Sequence, residues 1–218
     1  MALIHQAELR PSKIELLQEW APTQAWFEGN AGANLTSIAS FRFDDPQGEV
    51  GIETILVRAG GGPAMQIPLT YRGAPLEGGD PWLIGTMQHS VLGRRWVYDA
   101  TGDPAYLAAV AAATLTGGGQ AEQYIAIDGE LVRREPTAVI SGSGTHGTPV
   151  PALPSVGAVS TRHEPGATVV DAGDIRLVIA RVLGAGGSSE NTGEDVLTGT
   201  WTDQPEPQTL VIVQALAD

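Results

Sequence analysis

The sequence predicts an α+β protein: a curved, mostly antiparallel sheet with two helices, followed by a β-rich C-terminal part. Three observations carry this expectation. From Leu35 to Asp99, apolar residues recur in short strand-like runs whose spacers are too short for helical crossovers, so the pairing should be antiparallel. Only two stretches, opening at Ser12 and Asp103, carry helix start and stop signals. Beyond residue 155, short β-branched runs are parted by Pro-Gly and Gly-Asp turns, and no third helix emerges.

Taken in chain order, Ala2 to Leu9 alternates loosely, with Leu3, Ala7 and Leu9 on one face, and reads as a strand. His5 shares that face and reads as a packed histidine rather than a ligand. Ser12 followed by Glu15 makes a capping box, in which each side chain satisfies a backbone N–H at the helix start. Ile14, Leu16, Leu17 and Trp20 supply the apolar residues of this short helix, and Pro22 stops it. Leu35 to Phe43 is a strand with Leu35, Ala39, Phe41 and Phe43 on one face. Asp44 to Gly48 is a turn, Val50 to Arg58 the next strand, and Gly60-Gly61-Gly62-Pro63 its break. Met65, Ile67, Leu69 and Tyr71 then alternate with polar residues and Pro68. Proline cannot donate to a ladder, so Pro68 predicts an edge or a bulge.

Trp82 to Met87 and Arg95 to Asp99 read as a hairpin closed near Leu92. Asp103 is a good N-cap, Pro104 suits the first helical position, and Gly117-Gly118-Gly119 ends the Ala-rich run. The small side chains of this second helix predict a close approach to the concave face of the sheet. Gln123 to Ile127 and Leu131 to Arg134 flank Asp128-Gly129, a strong hairpin signal. Ser141 to Gly147 and the prolines after it read as a flexible linker or loop, a candidate for disorder. Strands follow at Val156 to Arg162, Thr168 to Val170, Ile175 to Leu183, Val196 to Trp201 and Leu210 to Val213. The expected organisation is an α+β domain over 1–140, a linker or loop over 141–155, and a β-rich segment over 156–218. That last segment either completes the same domain or forms a small unit of its own.

Composition excludes several functions. With 218 residues, 42% apolar and 17% charged, the chain can bury a globular core. It has no cysteine, which rules out disulfides, a cysteine nucleophile and thiolate metal sites. The formal charge of −13 repels phosphate backbones and anionic lipid, so neither nucleic acid nor a membrane surface is an expected partner. No apolar run approaches the roughly 18–20 residues that span a bilayer, and the first residues lack a signal-peptide pattern. A cytoplasmic location is expected. Eleven of the twelve basic residues are arginine, so any lysine chemistry falls to Lys13.

The catalytic signatures are weak. Gly142-x-Gly144-x-x-Gly147 spells the dinucleotide fingerprint, but Thr148-Pro149-Val150-Pro151 cannot supply the helix N-terminus that the fingerprint needs. There is no Walker-type Gly-Lys-Ser/Thr, and no Gly-x-Ser-x-Gly elbow between a strand and a helix. His5, His89, His146 and His163 are scattered, while Asp44-Asp45 and Glu194-Asp195 sit in turns, so no metal site is expected. The densest chemistry lies between His89 and Asp99, with an imidazole, a hydroxyl, two guanidiniums, two aromatics and a carboxylate. Candidate binding residues are Arg72, His89, Arg94, Arg95 and Asp99, forming an anion pocket because arginine forks match phosphate and carboxylate geometry. The competing reading is an Arg–Asp pair with buried aromatics that orders the turn. A Ser90–His89–Asp99 triad is disfavoured, because adjacent strand residues face opposite ways. No catalytic residue and no cofactor are assigned.

Several stretches together resemble a known family: Pro11 to Leu17, Trp20-x5-Trp26-Phe27, Ile67-Pro68-Leu69-Thr70-Tyr71-Arg72, and Leu83 to Met87 running into His89 to Gly93. Their order and spacing are similar to the N-terminal cap region of actinobacterial maltokinases, and more closely to free-standing cap-like proteins related to it. The resemblance covers about residues 1–130. It implies a curved antiparallel sheet around a helix, in a family whose kinases phosphorylate maltose in trehalose-to-glycogen metabolism with catalytic lobes downstream of the cap. The chain has no counterpart of those lobes' catalytic Asp loop, metal-binding Asp or nucleotide-binding Lys strand. It also has Ala25 where an arginine usually precedes Trp-Phe, and Glu28-Gly29-Asn30 where a basic segment usually follows. The resemblance therefore implies a fold and a pathway but no catalytic residue.

The leading expectation is a non-catalytic cap-like accessory protein that binds another protein, a kinase or glucan-metabolism enzyme, with self-association as a further option. The alternative is a small-molecule binding protein for a sugar phosphate or other anion. A third reading, a hydrolase or transferase, requires an unrecognised site.

Overall fold

A computed structural model describes residues 2–4, 7–29, 32–127, 130–184 and 194–216. In chain order the elements are β1 (Ala2–Ile4), β2 (Leu9–Arg10), α1 (Lys13–Trp20), β3 (Leu35–Phe43), β4 (Gly51–Ala59), β5 (Ala64–Arg72), β6 (Leu83–His89) and β7 (Gly93–Asp99). They continue with α2 (Pro104–Leu115), β8 (Gln123–Ile127), β9 (Glu130–Arg134), β10 (Ala138–Gly142), β11 (Ser160–Glu164), β12 (Ala167–Ala172) and β13 (Ile175–Ala180). The last three are β14 (Val182–Leu183), β15 (Asp195–Trp201) and β16 (Gln204–Ala215). The α+β expectation holds, and every described strand pair is antiparallel except β1 with β8. His5, Asp128 and Gly129 lie outside the described residues.

Three sheets result. The first runs β2-β6-β7-β5-β4-β3, with β14 added beside β5. The second runs β10-β15-β16-β13-β12-β11, and the third is β1-β8-β9. In β4 and β5 nearly every residue is buried, because the first sheet is covered on both faces. On one face Ile55, Val57, Ile67 and Leu69 meet Leu17 of α1 and Trp26. On the other, Ile52 and Leu56 share a core with α2 and with Ile175, Leu177 and Ile179 of the second sheet. Strand alternation sends neighbouring residues into different cores.

Both helix starts form as their residues dictate. The Ser12 hydroxyl accepts from the Glu15 N–H, and the Glu15 carboxylate accepts from the Ser12 N–H at 2.7 Å. Asp103 caps α2 through the Ala105 N–H at 3.0 Å, with Pro104 at the first position. The Ala-rich helix was expected on the concave face of the first sheet, but it lies between sheets. It packs chiefly on β10, β15 and β16, with a smaller contact to β3. Its small side chains serve the predicted close approach, but to the C-terminal strands.

Pro68 was expected at an edge or a bulge. It sits instead in a central strand, opposite Thr54 of β4. On the other side of β5, β14 reaches only to Met65 and β7 begins only at Leu69. The Gln66 N–H points to that side, donating to the Arg181 carbonyl at 2.8 Å, and Pro68 has the same parity. Its missing donor therefore faces the gap between two partner strands, where no ladder bond is lost.

The Gly/Ser-rich stretch expected to be a flexible loop begins inside β10 and is stitched to the end of α2. The N–H groups of Gly144 and Thr145 donate to the carbonyls of Thr114 and Leu115, and Ser143 donates to Val196. A Cβ at Gly142 would lie 2.1 Å from the Ala113 oxygen, and one at Gly144 would lie 2.0 Å from the Leu115 oxygen. These glycines let backbone touch the C-terminus of a helix, the opposite end from the one that receives a pyrophosphate.

The run Ile175 to Leu183, expected as one strand, is two. It breaks at Arg181, where the chain leaves the second sheet and enters the first. Arg181 is fully buried at this corner. Its Nη2 donates to Asp99 Oδ2 at 2.5 Å and its Nε to Thr168 Oγ1 at 2.8 Å, while the guanidinium lies 4.7 Å over the Trp26 ring.

Candidate functional site

A cleft of about 600 Å3 opens where the start of α1, the β3–β4 turn and the tip of the β6–β7 hairpin converge. Its cationic lining is Lys13, Arg42 and Arg95, with His89 beside them. Cross-strand pairing explains the convergence: Arg42 stands opposite Glu53, Gly51 opposite Tyr71, and Arg95 opposite Met87, all on the α1 side of the sheet. Lys13 reaches down from the first turn of α1 to Glu53 at 2.5 Å and lies 5.4 Å over the Tyr71 ring.

Glu53 is almost fully buried. Burial alone would raise its carboxyl, but the charges of Lys13 and Arg42 outweigh this and hold it below the usual value. The Tyr71 phenol moves the other way: burial first, then the nearby Glu53 charge, push it well above its usual value. Tyr71 therefore stays a neutral hydroxyl. That hydroxyl is buried against the Glu53 carboxylate, with which it interacts. Arg95 Nε, by contrast, is buried with no partner among the described residues, although its Nη2 donates to the Leu92 carbonyl at 2.7 Å. Such a group carries a desolvation cost of about 1–3 kcal/mol that a bound polar ligand could offset.

On the acidic rim, Asp45 is used by its own turn, accepting from the N–H groups of Gln47, Glu49 and Val50 at 2.9–3.0 Å. His89 Nδ1 accepts from the Val91 and Leu92 N–H groups at 3.2 and 3.0 Å, which shapes the hairpin tip. A smaller cleft of about 230 Å3 lies elsewhere, bordered by Trp82, Asp99 and His163. There the Thr168 hydroxyl accepts from Arg181 and stands 3.1 Å from His163 Nδ1, which places the imidazole near a buried guanidinium that disfavours its charged form. Burial and then the Arg181 charge lower the His163 pKa, in agreement.

Of the five residues proposed from sequence, the fold brings only His89 and Arg95 to the main cleft. Arg72 and Arg94 have the opposite parity and face away. Arg72 grips Asp103 with two hydrogen bonds of 2.8 and 2.7 Å, and Arg94 stacks over Trp96 at 5.4 Å. Asp99 shares parity with Arg95 but stands at the far end of β7, held by Arg181 and by the Thr101 N–H and hydroxyl. Lys13 and Arg42 were missed. The one signal was the rarity of lysine, since contacts such as Lys13–Glu53, 40 residues apart, leave no local pattern.

The first sheet from β3 to β7, with the Asp103 cap that follows it, is the part of the chain that matches a known family. Residues 20–103 match the maltokinase N-terminal cap domain. The resemblance is thereby borne out over that stretch. The cap-like segment contributes most of the main cleft, while Lys13, Leu9 and Ala7 come from upstream of it. No curated protein matches the chain.

Among the described residues no helix is long and apolar enough to cross a membrane. Nor do the described His, Asp and Glu residues gather in a group that could hold a metal ion.

Proposed function

We propose that the chain is a cap-like accessory protein of maltose, trehalose and glycogen metabolism, acting in the cytoplasm by binding another protein. The observation that carries this reading is the match of residues 20–103 to a maltokinase cap domain. The favoured partner is a kinase or a glucan-metabolism enzyme. Affinity purification of the tagged protein from its own host, with deletion of its gene, tests the idea. Recovery of such an enzyme, with altered maltose phosphorylation or glucan content on deletion, is the expected result. Purification alone, with both properties unchanged, would overturn it.

A second reading is favoured by one observation, the buried, unpartnered Arg95 Nε in a cleft that also holds Lys13 and Arg42. On this reading the cleft takes a small phosphorylated polyol, with the phosphate on the guanidiniums and hydroxyls on the neighbouring carboxylates. A ligand at ~100 times its Kd stabilises the fold by ~2.7 kcal/mol. For a chain of this size that raises the unfolding midpoint by roughly 5–10 °C. A panel of sugar phosphates should contain one member that does so for the native protein and fails with Arg95→Ala. No shift from any member would count decisively against the cleft.

A further inference from the structure

We propose that the chain forms a two-fold dimer by pairing the outer edge of β9 with β9 of a second copy. The hairpin β8–β9 and β1 make a sheet that joins neither of the two larger ones. Among the described residues β9 has β8 on one side and no strand on the other. All five of its residues are exposed, including Leu131 and Val132, and Ile127 beside them is exposed as well. An open strand edge with large apolar side chains is a template for another strand unless something covers it.

What covers it is argued from charge and symmetry. A two-fold axis perpendicular to the sheet makes the pairing antiparallel and keeps paired residues on the same face, so the axis must pass beside a single residue. With the axis at Val132, all five residues of Glu130-Leu131-Val132-Arg133-Arg134 find partners. Glu130 then stands opposite Arg134 of the second copy, and Arg134 opposite Glu130, so both end pairs attract. Moving the axis to Arg133 sets that guanidinium against its own copy, and moving it to Leu131 leaves the arginine end of the strand without partners inside β9. The strand is therefore self-complementary in one register. At physiological ionic strength the net charge of −13 on each copy is screened beyond about 8 Å, so the close pairs at the edge dominate.

The natural absence of cysteine gives a direct test. Val132→Cys should form a disulfide-linked dimer under mild oxidation, while Val139→Cys, even more exposed but outside β9, should not. In sedimentation equilibrium the native protein should show a dimer. Glu130→Arg and Arg134→Glu should each weaken it at least ten-fold, and the double variant should restore it. All four substitutions are at exposed positions, so misfolding would not mimic the pattern. A native protein that stays monomeric, or a dimer indifferent to both charge reversals and to the Val132 cross-link, would overturn the proposal.

Discussion

Arg181→Met is expected to lower stability by about 3–5 kcal/mol, because it leaves the Asp99 carboxylate buried without its cation. In a chain of this size that corresponds to a fall of roughly 6–20 °C in the unfolding midpoint. The guanidinium is fully buried and bonds to two elements besides its own, the end of β7 at Asp99 and β12 at Thr168. Asp99→Asn removes the orphaned charge while keeping hydrogen-bonding capacity for Thr101. The double variant Arg181→Met with Asp99→Asn should therefore be clearly more stable than the sum of the single losses predicts. Denaturant titration of the four proteins measures this coupling. Simple additivity would show that the two side chains do not act as a pair.

The second large effect concerns Gly144→Ala. The new methyl would sit 2.0 Å from the Leu115 carbonyl oxygen, which belongs to backbone at the end of a helix and cannot rotate away. The cost should reach about 3 kcal/mol or more, at the upper end of overpacking effects. Gly157→Ala, where no heavy atom lies within 4 Å, is the control and should change stability by less than about 0.5 kcal/mol. An unchanged midpoint for Gly144→Ala would mean that residues 142–145 do not rest against α2. The same pair of variants separates the two meanings of the Gly-rich motif, since a phosphate-binding loop would lose ligand affinity rather than fold stability.

Local chemistry made much of the fold legible. The Ser12–Glu15 box and the Asp103-Pro104 start are short-range signals, and both helices form where those residues place them. The strands from Leu35 to Asp99 were readable because hairpin partners are near in sequence. What escaped reading depends on distant partners. Ala138–Gly142 sits between Pro136 and a Gly-rich stretch, so nothing local marks it as β10, which is defined by its pairing with β15. Pro205 and Pro207 hid the first half of β16 in the same way. Arg181 could have been flagged as a charge inside an otherwise apolar run, but its partner Asp99 lies 82 residues away. In the candidate site, strict alternation along β5 and β7 would have separated Arg72 and Arg94 from Arg95 at the outset. The meeting of those strands with Lys13 and Arg42 needed the tertiary structure.

The corner at Arg181 has a consequence for any attempt to graft the cap-like segment onto another protein. A fragment cut at the boundary of the family match would abandon Asp99 and Trp26 without the guanidinium that joins them, and would strip β14 from the flank of β5. The transplanted sheet would carry one raw apolar face and a stranded carboxylate. A chimera that folds would have to bring the polypeptide through Leu183 along with it.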